Sequence, residues 1–372
     1  MNMKKIHYPN LNFVRSFAAF VVLFHHTEQL KSIHGYSNYW NVHIIQMLGK
    51  LGVDLFFVLS GFLITSLILV EKDAFEKIDI KKFLMRRVLK IWPLYFLVFF
   101  IALLLNFFVP ALRVDSVFIS PKDNFLANII LYITFLPHIQ VFFIGPILYC
   151  VQAWSIGIEE YFYLFWPFVV NAFKIKGILI FILVFIALYV IAFKGIDHIV
   201  HIGSAHPGFF YKLSICMHEA LKFDCLLIGG FFAILNLKFD VSKYLTNKFF
   251  QIFIYALEAY FVFSTRVPGN IYWEVHAVMF GLIIYNLVRL DTSIINMEYP
   301  IFNFLGKISY GIYMYHVLVV NILIVILYKI GVPYLLYPIM FASVVGVAWF
   351  SYNYYEKYFL TLKKTYQKII TG

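Results

Sequence analysis

Arg15 and His26 stand eleven residues apart in the apolar stretch VRSFAAFVVLFHH. Eleven helical steps of about 100° make three turns plus about 20°, so the two side chains share one helix face. His25 points about 80° away from Arg15 by the same arithmetic. Ala18, Ala19 and Val22 fill the stripe between them with small side chains, which leaves room for a ligand or a neighbouring helix. A charge at the centre of a bilayer costs about 2.5–3.5 kcal/mol on insertion scales, so an ionisable group in such a segment marks a site by default. The plainer reading is a snorkelling arginine above an interfacial histidine pair.

Four further stretches carry chemistry of the same kind. GKLGVDLFFVLSGFLIT sets Asp54 among aromatic and aliphatic residues, on one face with Gly61. Asp54 reads either as a site carboxylate or as a helix-pairing acid, with Arg15 its partner if helix tilt brings the two to one depth. KKFLMRRVLKIWPLYF closes a loop and places Arg86, Arg87 and Lys90 at a membrane edge, as a lipid-binding cluster or a phosphate clamp. WSIGIEEYFYLFWP carries Glu159 and Glu160, about 100° apart, so at most one faces a bundle interior squarely. GKISYGIYMYH puts Ser309, Tyr313 and His316 on one face at i, i+4 and i+7, a stripe that hydrogen-bonded packing alone would also explain.

Weaker features surround these. Glu219 and Lys222 have i, i+3 spacing, Gly229 and Gly230 allow close helix contact, Glu258 is a lone acid, and Glu274 and His276 open a later segment. His198, His201 and His206 resemble a metal cluster only loosely, and no carboxylate or cysteine pattern accompanies them, so no metal is expected. Cys150, Cys216 and Cys225 have no metal spacing and read as apolar filler.

The elements that must position these groups follow from composition. The 372 residues are 62% hydrophobic and only 13% charged, too little charge to cover a soluble surface. That excludes a soluble enzyme, a disordered chain, a disulfide scaffold and a nucleic-acid binder. It leaves an all-α polytopic bundle, read as one domain over 1–372 without internal repeats. Apolar candidates run near 11–29, 48–70, 91–109, 125–144, 154–172, 177–193, 218–236, 249–264, 272–288, 303–328 and 334–356. The fourth is broken by Pro137 and His138 and is read as a re-entrant or external segment near 125–150, which leaves about ten spans. With both termini cytoplasmic, more than twice as many lysines and arginines fall on inner as on outer segments. The N-terminal run is read as a retained first span, because Arg15 interrupts it and no cleavage site follows.

Helical rise then sets depths. His26, Asp54, Glu159 and His316 all fall roughly 20–24 Å above the inner edge, while Arg15 and the 86–90 cluster fall at that edge. The expectation is a tunnel with a basic inner mouth and a histidine–carboxylate chamber. A basic mouth wants an anionic ligand, and a deep histidine beside a carboxylate suits proton removal from a hydroxyl. A carrier with phosphates at one end and a thioester on a long arm, such as an acyl-coenzyme A, has the required shape.

Together these blocks resemble the bacterial integral-membrane acyltransferase family 3, which includes O-acetyltransferases of O-antigen and exopolysaccharide. The similarity runs from Leu11 to about Glu356. Arg15 and His26 meet an Arg-x10-His block, and GVDLFFVLSGFLI, with Asp54 and Ser60, stands almost letter for letter. Arg87-V-L-Lys90-I-W-Pro93 resembles an Arg-x-x-Arg-I-x-P block, with Lys90 where arginine is usual. WSIGIEEYFYLFWP, with Trp154 and Glu159, and GKISYGIYMYH, with Ser309, Tyr313 and His316, resemble the remaining two. The resemblance implies about ten spans, acetyl-CoA or a similar cytoplasmic donor, and a carbohydrate hydroxyl acceptor. It implies that Arg15 and His26 are essential and that the basic pair helps to hold the donor. Longer family members carry a soluble transferase domain; none is expected here after residue 356.

The function expected is therefore O-acylation, with acetyl as the expected group, of a lipid-linked or surface carbohydrate such as lipopolysaccharide or exopolysaccharide, at a bacterial inner membrane. His26 would act as general base, assisted by Glu159 or Asp54, with His316 beside it. Arg15, Arg86, Arg87 and Lys90 would bind the donor, and Ser60, Trp154, Ser309 and Tyr313 would line or support the site. The alternative from another class is a transporter of lipid-linked sugar or acyl groups, but the paired broken helices and inverted repeats of that class are not seen.

Overall fold

The computed structural model describes residues 5–114, 117–202, 208–264, 272–366 and 370–371. The chain is a helical bundle. In order, its helices are α1 (Leu11–Ile33), α2 (His43–Phe75), α3 (Ile80–Phe108), α4 (Phe125–Ile133), α5 (Pro137–Ile139), α6 (Ala153–Ala172), α7 (Ile175–Ile202) and α8 (Phe209–Glu219). They continue with α9 (Phe223–Lys238), α10 (Ser242–Leu245), α11 (Lys248–Ser264), α12 (Tyr272–Leu287), α13 (Pro300–Lys329), α14 (Leu336–Ser351) and α15 (Lys357–Lys364). A five-residue π-helical turn, Tyr352–Glu356, joins the last two. Lys5–Ile6 pairs in parallel with Ile370–Thr371, a two-residue tie between the segments flanking the bundle.

Among the described residues, five helical runs are long and apolar enough to cross a membrane: His43–Phe75, Ile80–Phe108, Ile175–Ala192, Pro300–Lys329 and Pro333–Lys364. Large apolar side chains such as Phe108, Ile180, Leu188, Phe249 and Phe263 point outward. An exterior of that kind suits lipid, whose tails are as apolar as the side chains they meet. What holds the helices together must then be close packing and polar contacts rather than exclusion of apolar surface from water.

Two glycines show the packing. A Cβ added at Gly61 would lie 1.8 Å from the Leu226 carbonyl oxygen, and one at Gly229 would lie 2.0 Å from that of Val58. Backbone therefore meets backbone where α2 and α9 cross, as expected for Gly229, and only hydrogen fits between them. Trp166 of α6 is fully buried on the same helices and donates its indole N–H to Thr65 Oγ1 at 2.8 Å.

The proline-broken fourth segment is broken as expected. α4 ends at Ile133, Phe135 takes a left-handed backbone (φ 58°), and Pro137 opens only a short turn. Two differences from the sequence reading bear on the site residues. α3 starts at Ile80, eleven residues early, because Asp79 caps it by accepting from the Lys82 N–H at 3.1 Å. Arg86, Arg87 and Lys90 are thus helical rather than the end of a loop. The segment expected from 218 is interrupted between Glu219 and Phe223, so Glu219 ends α8 while Lys222 precedes α9, and the two do not form a helical i, i+3 pair.

Candidate active site

α1, α2, α3, α6, α13 and α15 close on a cavity of about 280 Å³. Gly306 sets α13 against α1: a Cβ there would lie 2.4 Å from the Asn12 carbonyl oxygen, so the two backbones touch one turn before Arg15. Asn12 donates across this contact to Asn303 Oδ1 at 2.8 Å and accepts from Arg15 Nη1 at 3.2 Å. The guanidinium of Arg15 is thereby steadied and lines the cavity. Arg87 and Lys90, one turn apart on α3, line it too, and α15 adds Lys363.

Glu159 of α6 is the acid of this chamber. It accepts from Ser60 Oγ at 2.7 Å on one oxygen and from Tyr163 OH at 2.7 Å on the other. Among the described residues, Arg15, Arg87, Lys90 and Lys363 form no ion pair, and the buried Nε of Arg87 has no hydrogen-bond partner. Four cations around one carboxylate leave an excess of positive charge in one small cavity. Such an excess favours an anionic occupant, because an uncompensated buried charge is costly.

The second group lies further along α1. His26 is half-buried and its Nδ1 meets the Val22 carbonyl at 3.0 Å and His316 Nε2 at 3.2 Å. His316 Nδ1 faces the Tyr313 carbonyl one turn back on α13 at 2.5 Å. A consistent proton assignment follows from the two carbonyls, which only accept. His316 carries its proton on Nδ1 and offers Nε2 as acceptor, and His26 carries its proton on Nδ1. His26 Nε2 is then left with a free lone pair, the arrangement of a general base whose tautomer is fixed by its other nitrogen.

Tyr313 joins the two groups. It lines the cavity, its hydroxyl sits 2.8 Å from Ser155 Oγ, and its ring centroid is 5.6 Å from that of His316.

The structure brings Arg15, Arg87, Lys90, Ser60, Glu159, Ser309 and Tyr313 to one cavity and puts His26 against His316. Other expected residues sit elsewhere. Arg86 is buried in an ion pair with Glu71 at 2.8 Å and donates to the Tyr366 carbonyl at 2.9 Å, so it does not line the cavity. It is adjacent to Arg87, and one helical step is a rotation of about 100°. Asp54 pairs with Lys222 at 4.0 Å rather than with Arg15, because the break before α9 leaves Lys222 free to approach α2. Depth alone groups Glu159 with His26, but Glu159 sits in the basic cavity, whose lining His26 does not join. Trp154 packs edge-on against Phe57 at 6.1 Å.

His25 accepts no such role as His26: it faces the Ile45 carbonyl at 2.8 Å and packs edge-on against Trp40. Glu258 is not a lone acid but meets His276 Nδ1 at 2.7 Å. No metal-holding group occurs among the described residues, and the side chains of His198, His201 and His206, like that of Glu219, lie outside them. Tyr163 and Lys363 line the chamber without having been expected there. Tyr163 had a signal, its i+4 spacing from Glu159; Lys363, beyond the last motif, had none.

Comparison with known proteins places these residues in context. A family model described as an acyltransferase domain matches residues 8–353. O-acetyltransferase OatA of Staphylococcus aureus strain NCTC 8325 is 28% identical over 319 residues, covering 76% of this chain and 51% of OatA. A provisionally named O-acetyltransferase, SACOL0978 of S. aureus strain COL, is 25% identical over 375 residues, covering 95% of this chain and 57% of that protein. This chain therefore spans about half the length of the curated relatives it matches. No solved structure matches it.

Proposed function

This chain belongs to the integral-membrane acyltransferase 3 family, and from that premise we propose that it moves an acetyl group from cytoplasmic acetyl-CoA to a hydroxyl of a lipid-linked or surface carbohydrate. The observation that carries the reading is the basic cavity, with its four cations and one carboxylate, joined through Tyr313 to the His26–His316 pair. The names of the two S. aureus relatives support O-acetyl transfer as the reaction.

In this reading the donor phosphates meet Arg15, Arg87 and Lys90, and the thioester arm runs past Tyr313 toward His26. The acceptor hydroxyl gives its proton to His26 Nε2 as its oxygen attacks the thioester carbonyl. The tetrahedral intermediate collapses, the carbon–sulfur bond breaks, and the thiolate takes the proton back from His26. The products are an O-acetyl ester and free coenzyme A. Holding donor and acceptor at one place lowers the entropic part of the barrier, and the positioned base adds about 10²–10⁴-fold. Glu159 keeps Ser60 and Tyr163 fixed and offsets part of the positive charge that receives the donor.

The Arg15 end of the bundle is the cytoplasmic end in this reading, of an inner-membrane protein with both termini inside. The test of function is acetyl transfer by purified protein in vesicles, with labelled acetyl-CoA inside and a sugar acceptor present or omitted. Acceptor-dependent formation of labelled ester supports the reading. Movement of label or sugar across the vesicle without ester formation would replace it with transport.

A further inference from the structure

We propose that Lys363 is a donor-phosphate-binding residue and that Arg86 is the residue that positions it. The inference rests on the acyl-CoA reading of the basic cavity. α15 is a short helix with Lys357 and Lys364 exposed, whereas Lys363 turns inward and lines the cavity. A lysine stem is long and flexible, and with water at hand its ammonium ordinarily turns outward. Here it joins Arg15, Arg87 and Lys90 and has no acid partner among the described residues. A fourth cation in that position is repelled by the other three and is held in place only by an anion or by its helix.

The helix is pinned at both ends. Before it, Tyr355 OH donates to the Pro93 carbonyl at 3.1 Å. After it, the Tyr366 carbonyl accepts from Arg86 Nη1 at 2.9 Å, three residues beyond Lys363. Arg86 is itself locked: its Nη2 reaches Glu71 Oε2 at 2.8 Å, while Glu71 Oε1 accepts from the Asp79 N–H at 3.0 Å. The end of α2, the start of α3 and the chain after α15 are thus joined through one guanidinium. Both of its terminal nitrogens are spent on these contacts, so Arg86 serves the donor by holding Lys363 over the cavity and not by touching phosphate.

The experiment measures binding of acetyl-CoA and of acetyl-pantetheine, which lacks the phosphates, to the full chain in phosphatidylcholine nanodiscs. Lys363→Ala should weaken acetyl-CoA binding about ten-fold or more, the loss of one charge-assisted contact, with acetyl-pantetheine unaffected and Lys363→Arg close to the original. Arg86→Gln should weaken acetyl-CoA binding, and adding Lys363→Ala to it should cost nothing further. Equal weakening of both ligands, or additive loss in the double variant, would overturn the assignment, as would unchanged acetyl-CoA binding in Lys363→Ala. If phosphatidylglycerol discs weaken acetyl-CoA binding in the unsubstituted chain but not in Lys363→Ala, the lysine holds a lipid headgroup and the donor role is lost. Absence of any acetyl-CoA binding by the unsubstituted chain would instead remove the donor reading on which the proposal stands.

Discussion

Replacing His316 with alanine tests the division of labour between the two histidines. His26 Nδ1 has two acceptors, the Val22 carbonyl at 3.0 Å and His316 Nε2 at 3.2 Å. Removing His316 leaves the backbone carbonyl, so the His26 proton stays on Nδ1 and Nε2 stays available. The loss is that of one hydrogen bond between neutral groups, about 0.5–1.5 kcal/mol, or roughly two- to twelve-fold in rate if all of it is felt in the transition state. His26→Ala removes the base itself and should cost about 10²–10⁴-fold. His25 lies outside this exchange, bonded to the Ile45 carbonyl, and His25→Ala should keep a substantial part of the activity. The assay is acetyl transfer from labelled acetyl-CoA in membranes, normalised to inserted protein. If His316→Ala falls as far as His26→Ala, the pair acts as one unit and the proton assignment is wrong. Full activity in His26→Ala would remove the proposed base altogether.

Three further outcomes are expected. Arg87→Ala should raise the KM for acetyl-CoA by about ten-fold or more, one charge-assisted contact, without a matching change in acceptor KM; lost kcat at unchanged donor KM would refute the phosphate role. Gly229→Ala must push α9 off the Val58 carbonyl, which a Cβ would approach to 2.0 Å, and should cost about 1–3 kcal/mol, read as a lower Tm in detergent. Lys222→Met removes one partner of the buried Asp54 carboxylate and should lower the Tm in detergent, and adding Asp54→Asn should recover part of that loss; no recovery would show that the pair is not coupled.

Helix periodicity read the long apolar segments well, because each segment's fate is decided locally by hydropathy and by breakers such as Pro137. It also brought Ser309, Tyr313 and His316 to one face of α13, since that relation lies within one helix. It failed where a contact depends on a neighbour far away in sequence. Nothing near residue 220 breaks a helix, no proline and no glycine, yet the chain turns there and sends Lys222 to Asp54. Glu258 and His276 meet across two helices, a relation no spacing rule contains. The cluster at 86–90 reads as one patch in the sequence, whereas a helix begun at Ile80 divides it between an ion pair with Glu71 and the cavity. Depth arithmetic set Glu159 level with His26, whereas the structure puts it in the cavity of Arg15, Arg87 and Lys90, because counting residues from the assumed edge of each helix fixes no common level between helices.

The π-helical turn at Tyr352–Glu356 acts as a phase setter for the last helix. A turn of this kind carries one residue more than an α-helical turn, and each residue is worth about 100° of rotation. If 336–364 ran as an unbroken α-helix, α15 would be rotated by about that angle relative to α14, and Lys363 would leave the cavity for another face. The identity of residue 363 therefore matters only together with the count of residues before it. Deleting a single residue between Tyr352 and Glu356 would keep every basic side chain in the sequence and still change which of them reaches the chamber.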